Sequence, residues 1–276
     1  MLSHNNQKKI AAINDLSGFG RCSISVSLPV ISKLKVQCCP LPTAIFSDHT
    51  GFPSFYSRDF TDDMAPYINE WEKLGLQFDG IVTGFLGSEN QIGIVENFIR
   101  KFEKKGTIVI VDPVMGDYGR LYPTYTLNMC RKLKNIVKYA DIITPNITEA
   151  CLLTDSAYHE KWPAQELNAL AVKLCGMGPE KIVITGIAQG NMIANYCYEK
   201  GMPGKIIRTY KIGTSRSGTG DIFTAVIAAD AVNGVEFTES VKKASAFIKK
   251  CISKSIEMDI PVTDGVCFEE MLDKLK

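Results

Sequence analysis

Thr107-Ile108-Val109-Ile110-Val111 runs directly into Asp112-Pro113-Val114-Met115-Gly116-Asp117. Four consecutive apolar residues after Thr107, with no polar alternation, read as a strand buried on both faces, as in a parallel sheet with helices on either side. The sequence after it reads as the opposite, because a carboxylate, a proline and a glycine in quick succession end a strand in a turn. The same unit recurs in both directions. Toward the N-terminus stand Gly80-Ile81-Val82-Thr83, Val36 to Phe46 and Ile10-Ala11-Ala12-Ile13; toward the C-terminus stand Asp141-Ile142-Ile143-Thr144 and Lys181-Ile182-Val183-Ile184-Thr185. Helical patterns lie between them at Ser23 to Lys33, Asp62 to Leu74, Glu89 to Lys104, Tyr125 to Lys138 and Ala164 to Leu174. Strand and helix in alternation predict an α/β fold with a doubly wound, mostly parallel sheet.

The pattern changes after Thr185. Met192 to Tyr198 and Lys205 to Tyr210 flank Gly201-Met202-Pro203-Gly204, which predicts an antiparallel hairpin at one sheet edge. Three helices follow, at Asp221 to Val232, Phe237 to Ser253 and Cys267 to Leu275, the last two separated by Pro261 and Gly265. No linker or internal repeat divides the 276 residues, so 1–276 read as one domain.

Bulk properties exclude several classes of function. A net charge of +1 with dispersed basic residues leaves no footprint for nucleic acid or an anionic membrane. No apolar run approaches a membrane span, and Met1 to Lys9 is polar, so the expected location is cytoplasmic. The nine cysteines form no Cys-x-x-Cys pair and lie far from His4, His49 and His159, which points to reduced thiols packed as small hydrophobes and not to zinc.

In an open parallel sheet, ligands gather beyond the carboxyl ends of the strands. The segments expected there are polar or glycine-rich: Asn14 to Arg21, Ser47-Asp48-His49-Thr50-Gly51, Asp112 to Asp117, Pro145-Asn146-Ile147-Thr148-Glu149 and Thr185-Gly186. Asp15 and Ser17 are candidates for hydrogen bonds to a small polar ring, and Thr50 for a further ligand contact. Phe46, Phe52, Phe55 and Tyr56 stand near Thr50 as an aromatic wall or as ordinary core. His49 without a sequence neighbour to partner it reads as structural or as a hydrogen-bond donor. Tyr118 and Tyr122, around Gly119 and Arg120, form either a water-excluding lid or a plain surface loop.

Ser217-Gly218-Thr219-Gly220-Asp221 leads into the apolar stretch Ile222 to Ala229. Two glycines before a helix let backbone N–H groups converge where the helix dipole favours an anion, and Asp221 falls in the first turn. A carboxylate beside an anion cradle suits phosphoryl transfer to a hydroxyl, whose proton the carboxylate takes as attack proceeds. An Asp-capped helix after a glycine turn is the plainer alternative. Asp112 and Glu149, each after a neighbouring strand, fit magnesium, which usually keeps several waters and needs one or two carboxylates. Turn and helix capping by these two acids is the competing reading.

Taken together, Gly218 to Asp221, Asp112 to Asp117 with Gly119 and Tyr122, Thr144-Pro145-Asn146 with Glu149, and His49-Thr50-Gly51 resemble the ribokinase-like superfamily, and within it the pyridoxal kinase family. The resemblance runs from about Ile10 to Ser255 in the family's motif order. It implies a three-layer α/β/α sandwich that uses ATP and magnesium to phosphorylate the 5′-hydroxyl of a B6 vitamer. By position, Asp221 matches the base, and Gly218, Thr219 and Gly220 match the anion hole. Asp112 and Glu149 match the acidic pair for magnesium and phosphate, and Asp117, Asn146 and Thr185 match the lining of the nucleotide phosphates. Thr50 matches a substrate-pocket threonine and Tyr122 the lid tyrosine. A homodimer is implied by resemblance alone, and a potassium requirement is left open.

One segment departs from that family. Asn14-Asp15-Leu16-Ser17-Gly18 looks more like the hydroxymethylpyrimidine kinases, in place of the serine that follows the first strand in many pyridoxal kinases. Asp117 and Asp221 point back to pyridoxal kinases, since the pyrimidine enzymes commonly carry cysteine at the second of these positions. A B6-binding protein without catalysis is the alternative of a different class.

Overall fold

In the computed structural model, which describes residues 6–276, nine strands form one sheet. The first half of the chain comprises β1 (Lys9–Ser17), α1 (Ile24–Lys33), β2 (Gln37–Phe46), β3 (Ser57–Asp59), α2 (Thr61–Lys73), β4 (Gly80–Thr83), α3 (Glu89–Phe102) and β5 (Ile108–Val111). A separate small hairpin follows, β6 (Gly116–Asp117) with β7 (Arg120–Leu121). Beyond it come α4 (Leu127–Val137), β8 (Ile142–Ile143), α5 (Ile147–Thr154), α6 (Ala164–Cys175), β9 (Lys181–Gln189), β10 (Met192–Glu199), β11 (Lys205–Tyr210), α7 (Thr219–Asn233) and α8 (Phe237–Glu257).

Across the sheet the order is β11-β10-β9-β8-β5-β4-β1-β2-β3. Neighbours from β9 to β2 run parallel, while β10, β11 and β3 are antiparallel. Strand alternation divides the core into two layers. Along β1, Ile10 and Ala12 pack with residues of α1, α7 and α8, whereas Ala11 and Ile13 pack with residues of α2 to α6. The result is the three-layer α/β/α arrangement. Helix α7 is apolar around nearly its whole circumference because α1, α8 and the sheet enclose it. Its N-terminus therefore has a fixed place above the strand ends.

Several expected boundaries move. β1 continues through Ser17, so Asn14 to Ser17 belong to a strand, with a register shift against β2 between Asn14 and Leu16. β9 does not end at Thr185. It bends at Gly186, which has a φ of 71°, opposite a register shift in β10, and runs on to Gln189 as an antiparallel partner. Such an irregularity lets one strand leave the parallel sheet and feed a hairpin. Helix α5 and the short pairs β3 and β6–β7 carry too few residues to leave a periodic pattern. The expected C-terminal helix is a 3₁₀ turn at Glu269–Lys274, preceded by another at Val262–Asp264. His4 and the first five residues of the polar stretch Met1 to Lys9 lie outside the described residues.

All nine cysteines are free thiols. Among the described residues no helix is long and apolar enough to cross a membrane.

Candidate active site

Helix α7 begins at a glycine for a steric reason. Gly218 has a φ of 86°, and a Cβ there would lie 2.2 Å from the Arg21 carbonyl oxygen. With no side chain at this cap, nothing from residue 218 occupies the first free N–H groups of the helix, those of Thr219, Gly220 and Asp221. Gly220 differs, since a Cβ on it would meet nothing within 4 Å. Its missing side chain leaves open space in front of the helix end. The Thr219 hydroxyl turns back to donate to the Arg216 carbonyl at 3.2 Å.

Asp221 is half-buried, and its Oδ1 accepts from Asn14 Nδ2 at 3.3 Å. Burial, opposed by hydrogen bonds from the Ser23 backbone and Asn14 and assisted by the Asp15 charge, pushes its pKa up to about 6. One helical turn further on, Thr224 Oγ1 lies 2.9 Å from both Asp112 Oδ2 and Thr144 Oγ1. Asp112, at the end of β5, is pushed up to about 8 by burial and then by the Asp221 charge. Asn14, Thr83, Asp112, Asp221 and Thr224 share one small cleft, into which the rim of β1, β4 and β5 opens. Thr83 Oγ1 is buried there with no hydrogen-bond partner.

Glu149 is almost wholly buried, and its two oxygens accept backbone N–H groups from Met115 at 3.1 Å and Asn146 at 2.8 Å. Asn146 completes a reciprocal cap by accepting from the Glu149 N–H at 3.0 Å, and its Nδ2 donates to the Gly116 carbonyl at 2.8 Å. The capping role weighed for Glu149 is therefore present, and it fixes the start of α5 beneath the β6–β7 hairpin. Burial, then the Asp112 charge, raises the Glu149 carboxyl well above its usual range. Thr185 pairs with Asn146 across a single parallel bridge and donates its N–H to the Pro145 carbonyl at 2.8 Å.

The hairpin turns at Tyr118 and Gly119, both with positive φ, the geometry that suits a two-residue connection. Asp117 Oδ1 accepts the Tyr118 N–H at 2.8 Å, and Gly119 N–H reaches Thr148 Oγ1 at 2.9 Å. Burial raises the Asp117 carboxyl. Tyr122 leaves the hairpin with its N–H on the Met115 carbonyl at 2.9 Å and its ring 39% exposed. Burial and four neighbouring acids, Glu149 foremost, hold its phenol in the neutral form.

Asp15 and Ser17 turn into the protein, to partners of their own. Both are buried, and the Asp15 carboxylate accepts from Ser17 Oγ at 2.9 Å and Ser23 Oγ at 2.6 Å. Burial nevertheless raises the Asp15 carboxyl. These two residues brace the β1–α1 connection. Thr50 is exposed on the loop after β2, beside aromatic contacts of Phe46 with Phe55 at 5.8 Å and Phe19 with Phe52 at 5.6 Å. His49 is structural: Nδ1 accepts the Gly51 N–H at 3.0 Å, which leaves Nε2 to donate to the Thr263 carbonyl at 2.8 Å.

The segment from Pro261 to Val266 closes the far side of the cradle. Arg216 Nη1 donates to the carbonyls of Pro261 at 2.9 Å and Gly265 at 3.3 Å, and Val266 N–H to that of Ser217 at 3.1 Å. Arg21 Nη1 donates to the Asp264 carbonyl at 3.0 Å. Gly265 approaches so closely that a Cβ would lie 2.3 Å from the Gly20 oxygen.

Chemically, the rim joins the helix N–H donors of Thr219 and Gly220 to a carboxylate able to take a proton near neutrality. Among the described residues no three His, Cys, Asp or Glu side chains surround a common metal position. A magnesium ion here would depend on Asp112 and Glu149 with water and phosphate oxygens, a donor set that suits it, and a cation would offset the burial, and after it the neighbouring acidic charge, that raises both acids. Asn14, Thr83 and Thr224 were not singled out from sequence, and Thr144 entered only as the first residue of the Thr144-Pro145-Asn146 motif. Thr224 carried a signal, since i+3 from Asp221 is the same helix face; Asn14 and Thr83 carried none before their strands were aligned.

A family model described as phosphomethylpyrimidine kinase matches residues 70–263. The chain is 31% identical over 198 residues to a pyridoxal kinase of Arabidopsis thaliana, a match covering 68% of this chain and 62% of that protein. The chain thus spans under two thirds of that relative's length. A Bacteroides thetaiotaomicron protein assigned as a phosphomethylpyrimidine kinase and crystallised with pyridoxal superposes with a TM-score of 0.95 at 36% identity, over 98% of this chain and 96% of that one. The pyridoxal kinase of Lactobacillus plantarum, at 23% identity, shares the fold with a TM-score of 0.90 over 98% and 97%.

Proposed function

The chain belongs to the ribokinase-like family that the phosphomethylpyrimidine kinase model describes and that includes the pyridoxal kinases, and from that premise we propose that it phosphorylates the 5′-hydroxyl of a B6 vitamer with ATP. The observation that carries the reading is Asp221 in the first turn of α7, next to helix N–H groups that no side chain caps. The related Bacteroides protein crystallised with pyridoxal supports the choice of a pyridine alcohol.

The N–H groups at Thr219 and Gly220 bind the oxygens of the phosphoryl group in transfer and stabilise the charge that builds there. Asp221 accepts the proton of the attacking hydroxyl. Asp112, with Glu149 behind it, would hold magnesium, which would supply positive charge to the nucleotide phosphates. Asn146 and Thr185 line the phosphates from the β8 and β9 side. Tyr122 and the hairpin at Asp117 cover the site and keep water from competing for the phosphoryl group. Thr50 and the aromatic residues around Phe46 hold the ring.

The test is ADP release coupled to a reporter reaction, with pyridoxal, pyridoxamine, pyridoxine and hydroxymethylpyrimidine compared at equal concentration. Turnover on the B6 vitamers supports the reading. Selective turnover of the pyrimidine replaces the substrate, and binding without turnover replaces catalysis with a carrier role.

A further inference from the structure

Asn14 sits at the point where β1 changes register, and a local irregularity of this kind re-aims a side chain. Its Oδ1 accepts two backbone N–H groups, from Phe85 at 2.8 Å and Asp15 at 3.0 Å. Those two donors fix the amide, because turning it over would set an NH₂ against two N–H groups. Nδ2 is then turned toward Asp221, whose Oδ1 accepts from it at 3.3 Å. The space around it is equally determined. A Cβ on Gly84 would lie 2.4 Å from Asn14 Nδ2 and 2.5 Å from its Cγ, although the backbone of Gly84 is one any residue can adopt. Residue 84 is glycine to make room for Asn14.

We propose that Asn14, held by the backbone of Asp15 and Phe85 and given room by Gly84, is a positioning residue that fixes the Asp221 carboxylate and favours its ionised form. The inference rests on Asp221 being the base. A strand end and a loop thus aim a helix residue: β1 supplies the donor and the β4 end supplies the gap. The role differs from that of Asp15, which braces Ser17 and Ser23 and leaves the donor side of Asn14 alone.

Three variants decide the matter: Asn14→Asp, Gly84→Ala and Asp221→Ala. Asn14→Asp keeps the acceptor for both backbone N–H groups and puts a second carboxylate oxygen where the donor faced Asp221, so the hydrogen bond is replaced by like-charge repulsion. Its kcat, normalised to folded protein by circular dichroism, is expected to fall about ten- to a hundredfold, the range of a hydrogen bond to a charged group, with KM for vitamer and ATP within about twofold of wild type. Gly84→Ala, which displaces Asn14 without altering it, should lower kcat in the same way and keeps the question open to test if Asn14→Asp does not fold. A merely structural Asn14 would reduce thermal stability and leave kcat unchanged. Wild-type kcat in either folded variant, with Asp221→Ala inactive, overturns the role of Asn14 alone; full turnover in Asp221→Ala removes the base and this inference with it.

Discussion

Thr224 Oγ1 stands 2.9 Å from the Asp112 carboxylate, so the end of β5 and the first turns of α7 are joined by one hydrogen bond one helical turn above Asp221. The same hydroxyl lies 2.9 Å from Thr144 Oγ1, which brings the end of β8 into the link. Replacing it with the isosteric Thr224→Val leaves two buried polar groups without a partner. Stability is expected to drop by about 1–3 kcal/mol, the typical desolvation penalty, read from urea denaturation midpoints at constant m.

Asp221→Asn keeps the shape of the site and removes the proton acceptor. Turnover should fall by about 10²- to 10⁴-fold, the usual contribution of a general base, while the thermal midpoint stays level or rises. Wild-type turnover in this variant would show that another group takes the proton. In the unmodified protein, turnover should decline as pH falls through about 6, where Asp221 takes up its proton.

Asp112 makes a separate prediction about stability. Its folded pKa of about 8 stands above the ordinary 3.8, so the folded state favours the protonated form. The stability this contributes is fully present below pH 3.8 and is lost as pH rises through 8. Asp112→Asn carries no charge to desolvate. In metal-free buffer its thermal midpoint should exceed that of wild type by a few degrees at pH 8, with about 2–4 °C for each kcal/mol, and the gap should close toward pH 4. Adding magnesium should shrink the gap by stabilising only the wild type; equal midpoints at every pH would refute the assignment.

The two glycines of the cradle should separate stability from activity. Gly218→Ala meets the Arg21 carbonyl at 2.2 Å and adopts a φ unfavourable to a side chain, so it should lower both stability and turnover. Gly220→Ala meets nothing and sits inside a helix, where alanine is favoured by about 0.5–1 kcal/mol. It should melt higher than wild type and still lose kcat/KM, because the methyl group would fill the space that the proposed reaction gives to the phosphoryl oxygens. A Gly220→Ala enzyme of full activity would remove the cradle from the mechanism.

The sheet was legible because each buried strand is a short apolar run and each helix carries a polar face. β4, β5 and the start of β9 fall within a residue of their expected ends. The hairpin of β10 and β11 was legible from its turn residues. The failures have local causes. Asn14 to Ser17 look like a polar loop, yet the side chains of Asn14, Asp15 and Ser17 find hydrogen-bond partners inside the fold while their backbone stays in the strand, so polarity misled where pairing decided. Gly186 reads as a terminator, yet at a register shift it bends a strand without ending it. Within the candidate site, Asp221, Gly218 and Asp112 were visible because their chemistry sits in a short motif. Asn14 and Thr83 were not, since they meet the cleft only when β1 and β4 align.

The segment from Pro261 to Val266 gives the cradle a dependence on the order of synthesis. Arg216, Ser217, Arg21 and His49 all find partners in residues made after α8. A ribosome-bound chain can complete every strand and still lack the clasp that holds the cradle against the β1–α1 connection. Assembly of this end is thereby deferred until the body of the molecule exists, so the cradle is held in place only after the rest of the fold is made.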